Sequence, residues 1–149
     1  SPEAWASLLE EDTGALPHLH NAILQSLNEL PSTENGLTDT EARIVSLINS
    51  GHSQRGPLFR QYCNTTPAQF HGDMSFFWLL DQILQDRPSL LAEQDDKLSL
   101  TPLGAQVLDN QARWQRQYSS ALWLGNYRVD HNPVYSWDNA NRRLNKQEI

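Results

Sequence analysis

The run Phe70-His71-Gly72-Asp73-Met74-Ser75-Phe76-Phe77-Trp78-Leu79-Leu80-Asp81-Gln82-Ile83-Leu84 decides how the rest of the chain is read. Asp73 has the side chain of a helix cap, because its carboxylate can accept hydrogen bonds from the first free backbone amides. From Met74 onward, apolar residues fall at 74, 77, 78 and 84 on one side and at 76, 79, 80 and 83 on the other. A helix that is apolar nearly all round has to be covered nearly all round, so the expectation is a central, buried helix. Ser75, Asp81, Gln82, Gln85 and Asp86 leave only a narrow polar seam.

Working upstream, Thr65-Thr66-Pro67 punctuates the chain just before this helix, and Pro57 to Tyr62 predicts a short helix with Leu58, Phe59 and Tyr62 inward. Thr38-Asp39-Thr40-Glu41 reads as a capping box in which Thr38 caps and Glu41 reaches back. The helix it opens turns Ala42, Ile44, Val45, Leu47 and Ile48 inward and ends at Gly51. Asn35-Gly36 marks a turn before it. Further back, Leu16-Pro17 opens a helix to about Leu30 with Leu19, Ile23, Leu24, Leu27 and Leu30 as its stripe, stopped by Pro31. Pro2 to Asp12 predicts a short helix that lays Trp5 and Leu8 on the domain.

Downstream, Leu90-Leu91-Ala92 and Lys97-Leu98-Ser99-Leu100 predict two strands joined by the acidic tip Glu93-Gln94-Asp95-Asp96. Thr101-Pro102 then caps and opens a helix carrying Leu103, Val107 and Leu108, with Trp114 further on. Helix, short helix, buried helix, hairpin, helix is the order of a winged helix-turn-helix. In the tail, Trp123 to Val129 and Val134 to Asp138 are aromatic, β-prone runs around Asp130-His131-Asn132-Pro133, which predicts a terminal hairpin. Asn139 to Lys146 is expected to add a last helical turn. The fold class is thus mainly α with small β: a winged-helix-like core over 37–110, an N-terminal helical extension over 1–36, and a C-terminal helix and aromatic, basic hairpin over 111–149, packed as one domain.

The chain has 149 residues, enough for a sizeable core, and 38% hydrophobic residues with five Trp, which argues against disorder. No apolar run nears the roughly 20 residues of a membrane span, and no signal peptide is visible. The single Cys63 excludes an internal disulfide and a zinc cage of cysteines, which fits a cytoplasmic protein. Ser1-Pro2 reads as a cut edge behind which an upstream domain is expected. The formal charge is −7, unevenly spread: residues 1–110 carry 5 of the 11 bases and 15 of the 18 acids, a balance of −10, against +3 over residues 111–149. Such a chain repels nucleic acid unless its basic end overrides the rest.

Several blocks together resemble a bacterial family of unknown function. They are Glu29-Leu30-Pro31, Asn35-Gly36-Leu37-Thr38, Thr40-Glu41, Phe70-His71-Gly72-Asp73 with Trp78, Leu100-Thr101 with Gly104 and Leu108, Trp123-Leu124-Gly125, and Trp137-Asp138 with Arg143-Leu144. Asn126 stands where that family's motif has a second glycine. The resemblance implies a C-terminal winged-helix-like domain behind a separate N-terminal domain of unknown function. It carries no activity to transfer.

The chemistry-bearing residues compose no catalytic motif, so neither catalytic residue, cofactor nor metal is expected. His18 and His20 lie on different faces of a helix, about 200° apart, and cannot chelate one ion. His52 is expected as a solvated loop residue. His71 beside Asp73 could orient or accept a proton, but no nucleophile accompanies it. Cys63 follows an apolar helix, and a buried inert thiol is the plainer reading. Neither a dinucleotide fingerprint nor a phosphate loop occurs. A base-reading helix would need Arg, Lys, Asn or Gln, whereas residues 72–87 hold Asp73, Asp81 and Asp86 against Arg87 alone. The expected interaction surface is therefore C-terminal: Arg113, Trp114, Arg116, Trp123, Tyr127, Arg128, Trp137, Arg142 and Arg143, residue types that dominate interface energy. The plainer reading is that the aromatics close the domain's own core and the arginines form a solvated face. The function this implies is a non-catalytic interaction or accessory module that docks another domain, its own N-terminal domain, or a second copy of itself, away from membranes. The alternative is a transcription-related nucleic-acid-binding protein that uses the C-terminal basic residues.

Overall fold

The computed structural model describes residues 1–66, 71–117, 123–125, 127–129 and 133–148. The turn signals at Pro67, Asn126 and Asp130-His131-Asn132, and the start of the central run at Phe70, lie outside them. Over the described residues the chain is mainly α with small β, built from six helices and three two-stranded antiparallel sheets. It divides into two compact units, Thr40–Ser120 and Ser1–Asp39 with Ala121–Ile149. Residues 1–36 and 121–149, read from sequence as parts of separate extensions at either end, thus belong to one unit, whereas residues 111–120 belong with the central segment.

In the first unit, α3 (Asp39–Asn49) ends in the hydrogen-bond pattern of a Schellman cap, with Gly51 at φ 103° and the His52 amide donating to the Leu47 carbonyl. Helix α4 (Arg55–Thr65) is longer than Pro57 to Tyr62, because its first turn starts before the proline. Helix α5 (Asp73–Gln85) begins one residue earlier than a cap at Asp73 requires. Gly72 occupies the cap position, and the Asp73 carboxylate accepts from the neighbouring Met74 amide. Of its two apolar stripes only Phe76, Leu79, Leu80 and Ile83 are buried; Phe77 and Leu84 are half-buried, and Met74 and Trp78 are exposed. The expectation of burial all round is corrected. Phe59 of α4 reaches both Phe76 (5.1 Å) and Phe77 (5.5 Å), so α4 covers the stripe next to the core and leaves the first two turns beyond it open.

Strands β1 (Leu91–Gln94) and β2 (Lys97–Leu100) form the expected hairpin, with Gln94 opposite Lys97. The tip is two residues and not four: Asp95 and Asp96 both have positive φ, at 51° and 58°, the geometry of a type I′ turn whose twist suits flanking strands. Glu93 and Gln94 belong to the strand. Thr101 caps α6 (Pro102–Leu108) by accepting from the Gly104 amide and also donates to the Ser89 carbonyl. Gly104 lies against Leu90, where an added Cβ would come within 2.1 Å of the Leu90 carbonyl oxygen. Helix α6 ends in a second Schellman pattern with Asn110 at φ 57°, and residues 111–117 are not helical, so no helix opens the C-terminal segment among the described residues.

In the other unit, α1 (Pro2–Leu8) and α2 (Leu19–Asn28) accompany two hairpins. Strands β3 (Trp123–Leu124) and β4 (Tyr127–Arg128) pair tightly, and β5 (Val134–Asp138) pairs with β6 (Arg143–Gln147). This corrects both tail expectations: there are two hairpins where one was predicted, and a strand where a helical turn was. The Asp138 carboxylate accepts from the Asn141 amide and side chain, and Arg142 takes φ 49°, so the chain reverses at Asn139–Arg142 and brings Arg143 back opposite Asp138. Gly125, at φ 60°, supplies the left-handed residue of the smaller hairpin. On the other side of β5, Trp137 donates to the Pro31 carbonyl (2.9 Å) and accepts from the Thr33 amide (3.2 Å), tying the segment after α2 to the C-terminal hairpin. The core is Ile23, Leu27 and Leu30 of the α2 region with Leu124, Val129, Tyr135 and Trp137, and Trp5 and Leu8 pack against it.

Candidate interaction surfaces

Helical geometry sets Met74 and Trp78 one turn apart on α5, so both emerge on one side. Met74 is 84% exposed and Trp78 38%, the largest apolar groups that the Thr40–Ser120 unit leaves in water among the described residues. Asp73 beside them is exposed, and Ser75 is bonded to the Gly72 carbonyl. The face is apolar with an acidic lip.

Arg55, at the start of α4, organises the polar side of the same unit. Its Nε and Nη2 grip both carboxylate oxygens of Glu93 on β1 (2.8 and 2.7 Å), and its Nη1 reaches Asp81 of α5 at 2.7 Å. The bidentate fork suits a carboxylate and fixes three elements at once. The Glu93 hydrogen bond, opposed by partial burial and joined by Asp81, pushes the Arg55 guanidinium further up, and Arg55 in turn holds the Glu93 carboxyl below its usual range. Asp81, one of the acids that sequence reasoning set against nucleic acid, and Glu93 of the hairpin are therefore already matched by a base. The arginine that matches them is equally committed. What remains charged around the hairpin tip is Asp95 and Asp96 with Lys97, all exposed.

The residues of the proposed C-terminal surface are divided between the two units. Arg113, Trp114 and Arg116 belong to the Thr40–Ser120 unit, and the remaining six to the other. Trp114 is buried, with the Arg116 guanidinium 5.3 Å from its ring centre. Arg116 is drawn inward to Glu41, which is wholly buried, at 2.5 Å. Buried Asp86 accepts the Gln117 amide on both oxygens (3.0 Å each). Together these hold the segment Trp114–Gln117 against the unit as internal structure, so Trp114 and Arg116 do not offer a surface. Arg113 is exposed.

In the other unit Trp137 is buried and Tyr127 half-buried, with its hydroxyl hydrogen-bonded to the Pro133 carbonyl and to the Tyr135 amide. These aromatics close the core. Trp123 is 59% exposed, and Arg128 stands opposite it in the ladder. Arg142 and Arg143 are exposed at the β5–β6 turn, with Arg143 facing Asp138 across the ladder. Asn141's bonds to the Asp138 carboxylate lower its pKa, with Arg143 adding a smaller push in the same direction. Glu3 of α1 takes a hydrogen bond from the Tyr135 hydroxyl and lies 3.9 Å from the Lys146 ammonium, so an acid of the N-terminal segment meets a base of the tail within one chain.

Sequence reasoning missed Arg55, Glu41 and Asp86 as organising residues, and Met74 with Trp78 as surface. A buried acid followed far downstream by an arginine leaves no local pattern. The apolar excess of α5 was visible, but which stripe would be left over was not.

For chemistry the structure adds little. The His52 ring is half-buried, with Nδ1 3.2 Å from the Leu47 carbonyl at the end of α3, and is not the free loop residue expected. Cys63 is half-buried and forms no disulfide. Among the described residues no group of three or more His, Cys, Asp or Glu could hold a metal ion, and no helix is long and apolar enough to cross a membrane. A shallow groove of about 410 Å³ beside β1 contains Arg87, Ser89 and Glu93. There the Ser89 hydroxyl donates to the Leu91 carbonyl and accepts from the Leu91 amide, and Arg87 is bonded to the Leu84 and Asp86 carbonyls. Its polar groups serve the fold. In comparison with known proteins, no family model, curated protein or solved structure matches the chain.

Proposed function

We propose that the chain is a non-catalytic interaction or accessory module, whose Thr40–Ser120 unit uses a winged-helix-like scaffold to dock a protein partner. The scaffold reading is supported by the element order and by one backbone bond. The Leu98 amide of β2 donates to the Ser53 carbonyl at 2.7 Å, which sets the segment between α3 and α4 beside the hairpin as a third, minimal strand. In that reading α5 is the recognition helix and β1–β2 the wing. A place in the bacterial family whose blocks the sequence resembles is part of the same proposal.

The observation that carries the functional reading is the outer face of α5. Where a base-reading helix sets arginine and amide side chains, this one sets Met74 and Trp78 beside Asp73. A phosphate brought to its first two turns would meet an acid or an apolar group, the exposed amide of Gln85 lies at the far end, and the nearby Arg55 is bound to two carboxylates. A protein surface with an apolar anchor site finds there a methionine and a tryptophan, both good at filling irregular contacts. A scaffold does not decide its use, and here the exposed chemistry points away from nucleic acid.

Fluorescence titration with random duplex and single-stranded DNA at low salt is expected to show no binding at micromolar protein. Tight binding that weakens steeply with salt overturns the reading in favour of a nucleic-acid binder. A photo-crosslinking residue at position 74 is expected to capture a defined protein from the native host, and one at exposed Gln106 is not. Equal capture at both positions removes α5 as the docking face.

A further inference from the structure

We infer that β6 is a pairing edge for a second copy of this chain, joined antiparallel about Asn145 so that the two β5–β6 hairpins form one four-stranded sheet. The ladder shows why the edge is open. On β5, Trp137 sends its amide and carbonyl to Pro31 and Thr33, and the Tyr135 amide goes to the Tyr127 hydroxyl. All of these point away from β6. In an antiparallel ladder, residues that turn their backbone groups outward stand opposite residues that do the same. Trp137 faces Leu144 and Tyr135 faces Lys146, so Leu144 and Lys146 turn their amides and carbonyls to the free side of β6. Among the described residues none of these four groups has a backbone partner outside the ladder. Arg143, Asn145, Lys146 and Gln147 are exposed, so the strand is open to solvent along most of its length. Glu3 reaches Tyr135 and Lys146 across the face of the sheet, in the direction of their side chains, and draws the Lys146 ammonium towards α1. Lysine commonly guards an edge strand. This one is turned to an acid of its own chain.

Charge selects the register. Centred on Asn145, Leu144 of each copy lies opposite Lys146 of the other, so all four outward groups of both strands are satisfied. Arg143 then faces Gln147 of the second copy, the turn residue Arg142 comes near Glu148, and no like charges are opposed. Centring on Leu144 leaves the outward groups of Lys146 facing the turn residue Arg142, outside the strand, and centring on Lys146 sets that residue against itself. Like charges directly opposite in a ladder are unfavourable. Only the Asn145 register combines full backbone pairing with opposite charges.

This uses a surface other than the α5 face of the proposed function, so the two can fail separately. Sedimentation velocity from low micromolar to near-millimolar protein is expected to show a monomer–dimer equilibrium. The Leu144 and Lys146 amides should exchange more slowly as concentration rises. Lys146→Pro removes an outward donor without touching the β5–β6 ladder, and is expected to weaken the dimer about tenfold or more, since the two-fold doubles the loss. Lys146→Gln keeps the donor and should keep the dimer. Arg142→Glu should weaken it about threefold, and adding Glu148→Arg should restore it. A strict monomer at every concentration refutes the inference. So does a dimer that survives Lys146→Pro. If Trp78→Ser abolishes that dimer, the self-association belongs to α5, and the docking reading stands without the β6 edge.

Discussion

Replacing Gly104 by alanine is expected to destabilise the protein, against the helix preference of the two residues. Alanine in place of glycine inside a helix ordinarily gains about 1 kcal/mol. Here the new methyl group would sit 2.1 Å from the Leu90 carbonyl oxygen and 3.1 Å from its carbon. The obstacle is backbone, which cannot rotate away as a side chain can. To reach an ordinary contact, the first turn of α6 has to part from Leu90 by about 1 Å. That same oxygen accepts the Thr101 amide at 3.0 Å, and Thr101 caps α6 while donating to Ser89, so the shift strains the junction at which hairpin and helix meet. Overpacking of this kind costs about 1–3 kcal/mol. A lost backbone bond adds about 1 kcal/mol. Set against the helix gain, the net loss is about 2 kcal/mol. Urea unfolding followed by circular dichroism and tryptophan fluorescence reads it, with a lower midpoint at unchanged slope. Gly56→Ala is the internal control: Gly56 lies in α4 with nothing within 4 Å of its added Cβ, so it should be neutral or slightly stabilising. A Gly104→Ala variant as stable as the parent would refute the tight approach of α6 to Leu90.

Arg116→Ala leaves the wholly buried Glu41 without its guanidinium and is expected to cost about 3 kcal/mol in chemical unfolding, whereas Glu41→Gln with Arg116→Met recovers most of the loss. Glu93 titrates below its usual range when folded, because Arg55 hydrogen-bonds its charged form. A lowered folded value contributes stability that is fully present above the unfolded pKa of about 4.3 and is lost as pH falls through the folded one. An acid titration of stability should therefore lose a limb below about pH 4 in Glu93→Gln, at little change near neutrality beyond a weakened, partly solvated pair. Replacing Asp95-Asp96 by Asn-Gly suits two consecutive positive φ angles better and should raise the thermal midpoint, by about 0.5–1 kcal/mol of stability.

The local chemistry of the chain carries far for elements whose signals are contiguous. The Thr101-Pro102 start of α6, the Gly51 end of α3 and the β1–β2 hairpin all sit where their residues direct, since caps, stops and turns act over a few bonds. The tail was misread because β-prone runs do not name their partners. Asp138's side-chain bonds to Asn141 and the left-handed Arg142 decide that β5 turns back on Arg143. The end of α6 was missed for a similar reason: Asn110 is a weaker stop signal than glycine, and only the completed cap shows it. The candidate surface fared worst. Trp114 and Trp137 have the composition of hot spots, but composition does not distinguish a tryptophan that closes a core from one that seeks a partner.

By itself the sequence determined the helical character, a hairpin ahead of Thr101-Pro102, the acidic balance and the apolar excess of α5, because each depends on residue type and short spacing. Only the tertiary structure decided which α5 stripe faces water, that Arg55 and Arg116 are committed to carboxylates 26 to 75 positions away, and that the two ends of the chain share one unit. The physical reason is common to all three. Burial and charge pairing are settled between elements far apart in the chain, and no local pattern records which groups will meet.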